Sequence, residues 1–188
     1  MIELLKTLAP FITFFLGLAS VPFVEYRKEK AKERRISESV DIEIQDEYES
    51  IIKAIRDIEK SIEKRWLQDI KFQHLSLPMH LDLRLLHSNI EIIYPLKNKD
   101  TRKALKTLLL LQGSIKRNYD DVVENWKVNN RKCLAIESVM LSQMLSAYYL
   151  LNELIIKKEN FTYPPLSNNE IIELAAKSLN VKSNIRIK

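Results

Sequence analysis

Residues 44–65 read IQDEYESIIKAIRDIEKSIEKR and contain neither glycine nor proline. Within them Ile44, Tyr48, Ile51, Ile55, Ile58 and Ile62 recur at alternating steps of four and three, the period of one face of a helix and not of a pleated strand. The stretch is predicted to be part of a long helix from Arg27 to about Lys71, and the chain to be all-α. Isoleucine at both seam positions favours three or four strands if copies pair through this face, and packing within one chain uses the same face equally well. Arg65 stands where the next apolar residue is due, so the repeat breaks before its third heptad is complete. Just upstream, SVDIEIQDEY alternates apolar and acidic residues over a few positions and reads as a short strand or a frayed helix start. Six acids and no base between Glu38 and Ile52 favour a helix N-terminus there.

Working back toward the N-terminus, the sign of the charge reverses. Residues 27–35 carry six bases, Arg27, Lys28, Lys30, Lys32, Arg34 and Arg35, against two acids. Before them Thr7–Val24 is eighteen residues without a charge, which at ~1.5 Å per residue makes about 27 Å of helix, close to the hydrocarbon thickness of a bilayer. A cleaved signal peptide fits poorly, because Glu3 and Lys6 give no basic leader and cleavage after Ala19 would leave bases that oppose translocation. A surface helix fits poorly as well, since the run offers no charged face. A single transmembrane helix is expected, with the N-terminus outside and the bulk of the chain in the cytoplasm by the positive-inside rule. Ala9, Thr13 and Gly17 form a small-residue stripe at every fourth position, suited to close approach of a second helix.

Downstream the pattern predicts a bundle. A helix begins near Pro78, carries Met79, Leu83, Leu86, Ile90 and Ile93 on one stripe, and ends before Pro95. Asp100 or Thr101 is expected to cap a third helix, interrupted near KVNNRK, residues 127–132. A fourth follows from about Arg131 to Lys158, with no charge between Glu137 and Glu153. Its serines, Gln143 and Asn152 make it too polar for lipid, so it reads as the central buried helix. Pro164 and Pro165 then stop the chain, and Ser167 with Glu170 makes a capping box, with Leu166 and Ile171 as the staple of a final short helix. The expected organisation is an anchor over 1–26, a basic segment and long helix over 27–71, and a bundle of about four to five helices over 72–188.

Two glycines, Gly17 and Gly113, exclude phosphate loops, dinucleotide fingerprints and nucleophile elbows, each of which needs closely spaced glycines. The lone Cys133 excludes an internal disulfide and thiolate-rich zinc sites. All three histidines, His74, His80 and His87, fall close together, and His87 and Glu91 share a helix face at i, i+4. Metal chemistry on His74, His80, His87 and Glu91 is therefore the alternative to be tested, although no recognised metal motif accompanies them and no cofactor is expected. Arg65 lies too far from His74, and Arg84 too near His87, for the Arg–His pair of all-helical nucleases. Asp120 and Asp121 read as a solvated face. The expected partners are the lipid bilayer, copies of the same chain and a protein not identified by the sequence. Nucleic acid is disfavoured, because the basic excess of residues 64–188, twenty bases against twelve acids, is scattered.

Overall fold

The computed structural model describes residues 2–67 and 80–181, the side chains of 2–13, 15, 16, 18 and 19 excepted. It is all-helical, with no strand among the described residues. Among the described residues five helices follow in order: α1 (Ile2–Trp66), α2 (Arg84–Leu96), α3 (Lys99–Asn125), α4 (Asn130–Lys157) and α5 (Asn168–Ser178), with a 3-10 turn at Lys158–Asn160. The chain divides into two compact units, Met1–Ser39 and Val40–Lys188. The acidic stretch that alternates like a strand, SVDIEI, is helical within α1.

In the unit Val40–Lys188 the heptad face of α1 is the core. Ile51, Ile55, Ile58 and Ile62 are buried, Ala54 widens the stripe, and Ile44 is covered as well. The chain's own bundle thus occupies the seam, and no oligomer is needed to hide it. Tyr48 completes the face by stacking on Tyr148 of α4, ring centres 5.4 Å apart. Further along, Ser61 and Arg65 meet Glu137. Because numbers rise along α1 as they fall along α4, the two helices run antiparallel.

α4 is the central element, packed by α3 and α5. It is long and apolar enough to cross a membrane by length and composition, yet most of its apolar window is buried inside the protein. Met140, Met144, Ala147 and Leu151 are among the fully covered side chains. Polar residues on α4 find partners within the bundle. Gln143 accepts from Asn118 Nδ2 and donates to Ser114 Oγ, both at 2.9 Å, tying α4 to α3. Ser146 and Ser142 return their hydroxyls to carbonyls one turn back.

The turns follow local chemistry with two exceptions. Ser167 and Glu170 form the expected reciprocal capping box at α5, and the chain breaks between α3 and α4 where anticipated. The cap of α3, however, is Asn98, whose side chain accepts from the Thr101 amide at 2.8 Å, and not Asp100 or Thr101. The second exception is α2, which begins at Arg84, well after Pro78, and continues through Pro95 to Leu96, with Asn89 departing from helical geometry.

Candidate functional site

The late start of α2 has a cause in α1. Leu83 precedes the helix and offers no side-chain cap. Its orphan amides are satisfied from another element: Glu43 takes the Leu85 and Leu86 N–H groups at 2.7 and 2.8 Å, and just before the helix Glu47 takes that of Asp82 at 3.1 Å. A carboxylate on free helix amides also faces the positive end of the helix dipole. Burial pushes the Glu47 carboxyl above its ordinary range; the Asp82 amide opposes that shift, and the charges of Asp82, Glu43 and Asp46 add to it.

A second polar cluster closes the other end of the α1–α4 contact. Arg65 Nε donates to Glu137 Oε2 at 2.9 Å, and the two side chains are only 4% and 1% exposed. Ser61 Oγ reaches both Glu137 oxygens at 3.1 Å. Asn130 accepts from Arg65 Nη1 at 2.9 Å and donates to the Arg65 carbonyl at 3.3 Å. Arg65 Nη2 is buried without a hydrogen-bond partner. The residue that breaks the heptad thus forms an ion pair with Glu137, the charge that borders the uncharged stretch of α4 on its N-terminal side. Removing one partner of such a buried pair strands the other charge, whereas replacing both by apolar groups is often neutral. The nearby Cys133 is fully buried, and burial raises its thiol while Arg65 pulls it down. The paired acid and base join α1 to α4, while the Cys133 thiol donates to the Val122 carbonyl of α3 at 4.0 Å.

His80 rests against the Tyr119 ring with centres 5.5 Å apart, while His87 and Glu91 are exposed. Among the described residues no group of three metal-binding side chains exists, and His74 lies outside the described residues. The alternative built on His74, His80, His87 and Glu91 therefore has no assembled ligand set among the described residues.

In the unit Met1–Ser39 most of the described side chains are exposed, with Glu33, Ile36 and Ser37 half-buried. Phe14 is 62% and Phe23 is 60% exposed, and Val21, Val24 and Tyr26 are exposed too. All six bases, Arg27, Lys28, Lys30, Lys32, Arg34 and Arg35, are exposed. Arg27 lies over the Phe23 ring and Lys30 over that of Tyr26, at 5.2 and 6.0 Å. Ion pairs join Lys30 to Glu33 and Arg34 to Glu38. Of the small-residue stripe, Ala9 and Thr13 lie outside the described side chains, and a Cβ added at Gly17 would meet nothing within 4 Å.

Sequence reasoning marked Arg65 as an irregularity but missed Glu137 as its partner, and it missed Glu43 and Glu47 as the acceptors at the start of α2. The only signal for Glu137 is its position at the edge of a charge-free run. Compared with protein-family models, curated proteins and solved structures, the chain matches none of them.

Proposed function

We propose that the protein is a membrane-anchored helical interaction protein: an oligomeric scaffold or membrane effector whose N-terminal helix crosses the bilayer and whose bundle senses or recruits a partner in the cytoplasm. One observation carries the reading. Phe14 and Phe23 are nine residues apart, about two and a half helical turns, so they project from opposite sides, and both are exposed. A helix that is apolar all round finds its solvent either in a large protein core or in lipid. The exposed bases from Arg27 to Arg35 then mark the cytoplasmic boundary. Self-association is assigned to the Ala9, Thr13 and Gly17 stripe, because the isoleucine seam is occupied within the chain.

Carbonate extraction of membranes from cells expressing the full chain tests the anchor, and protease added from either side tests its orientation. Retention in the membrane, with the bundle cleaved only from the cytoplasmic side, is expected; a chain released by carbonate would sink the proposal. The detergent-corrected mass of the purified protein tests self-association. A defined oligomer of the wild type that Gly17→Ile reduces to a smaller species is expected, and an unchanged mass would remove the stripe as its cause.

A further inference from the structure

The α2–α3 connection, the first turn of α3 and the end of α4 form one basic surface. Asn98 donates to the Glu159 carbonyl at 3.1 Å, and Lys103 Nζ sits 3.9 Å from the centre of the Tyr163 ring, which joins the two stretches. Residues 97–103 and 157–159 together hold six bases, Lys97, Lys99, Arg102, Lys103, Lys157 and Lys158, against two acids. Lys97 pairs with Asp41, and Lys157 with Glu153. Among the described residues no carboxylate pairs with Lys99, Arg102, Lys103 or Lys158. Arg102 and Lys103 lie instead over the rings of Tyr94 and Tyr163, contacts that orient a cation without cancelling its charge. Beside these cations Leu96 and Ile156 are exposed, Ile156 at 67%.

Bases, tyrosines and bare aliphatic side chains on one surface make the composition that seats in a charged lipid interface, where aliphatic groups enter the headgroup boundary and cations meet phosphate. Nucleic acid would use the cations and the rings but gives Leu96 and Ile156 no apolar partner. The surface also reaches the start of the unit Val40–Lys188, since Lys97 pairs with Asp41, its second residue. We propose that this surface docks on the anionic phospholipid headgroups of the membrane that anchors the chain, a second contact that depends on lipid charge. The inference rests on the membrane-anchor reading.

Full-length protein reconstituted in nanodiscs of phosphatidylcholine alone, or of phosphatidylcholine with phosphatidylglycerol, separates the two ideas. Hydrogen exchange is followed in peptides covering 94–103 and 154–163. Incorporation into both nanodiscs with exchange slowed only in the anionic ones is expected. Because a base near an anionic surface contributes roughly fivefold in binding, Lys99→Glu with Lys103→Glu should abolish the slowing while the melting temperature is kept, and the milder Lys158→Gln should weaken it. Incorporation with equal exchange in the two lipids would overturn docking and leave the anchor intact. Failure to incorporate in either would overturn the anchor and the docking built on it. Salt-sensitive binding of duplex DNA or single-stranded RNA that protects the same peptides, with no lipid effect, would reassign the surface to nucleic acid.

Discussion

Lys158 adopts φ 47° and ψ −120° at the end of α4, a conformation that costs an L-residue about 1 kcal/mol or more and glycine almost nothing. Lys158→Gly should therefore raise stability by about 1 kcal/mol in urea unfolding, with no penalty from lost packing because the side chain is exposed. At the opposite end of the bundle the balance is set by charge. Glu137→Leu alone leaves the Arg65 guanidinium buried and unpaired and should cost about 3–5 kcal/mol, while Arg65→Met with Glu137→Leu should recover most of that loss. Equal destabilisation by the single and the double variant would show that packing and not stranded charge sets the cost. For Glu47 the sign runs the other way from the usual carboxylate. Its folded pKa is raised, chiefly by burial, so the native state takes up the proton before the unfolded state does. Stability should rise as pH falls from neutral through that raised value. Glu47→Gln keeps an oxygen to accept the Asp82 amide and should remove the rise, as read from melting temperature against pH. Glu170 is the converse, held low first by the Ser167 amide and then by its hydroxyl, so its contribution is lost as pH falls through that lowered value.

At the scale of helices, periodic burial was readable because it is local: a face repeating every three or four residues declares itself whatever it packs on. The isoleucine seam, the break between α3 and α4, and the Ser167–Glu170 box all belong to this class. What the sequence left open was where the face would be used. Ile55→Asp with Ile58→Asp is expected to unfold the bundle, seen as lost helical circular dichroism, and not merely to dissociate copies; a folded monomer would return the seam to an assembly role. The start of α2 was misplaced for a different reason. Pro78 is a sound local signal, but the first-turn amides of α2 are capped by Glu43, which lies some 40 residues earlier. Separation along the chain hid the ion pair as well. Arg65 announced itself by breaking the heptad, yet its partner is 72 residues away, and nothing in the spacing of either residue points to the other.

In the whole molecule the domain limits read from composition and those of the folded chain cut α1 differently. Reading by charge groups residues 27–71 with the basic segment, whereas the compact unit begins at Val40. A soluble fragment starting at residue 72 would lack the buried isoleucines, the Glu43 and Glu47 caps and half of the ion pair, and should be largely unfolded. One starting a few residues before Val40 should melt cooperatively. Comparable cooperative melting of both would argue that α1 is dispensable to the core. The cross-helix caps carry a further consequence, because they and the Arg65–Glu137 pair hold residues 40–66 to the rest of the bundle without any covalent bond. A protein cleaved once between Leu67 and His80 should therefore remain a two-piece complex, and peptides supplied as separate chains should reassemble it. The later helices would then stay with residues 40–66 after the chain between them was cut, and could leave only by exposing their own core.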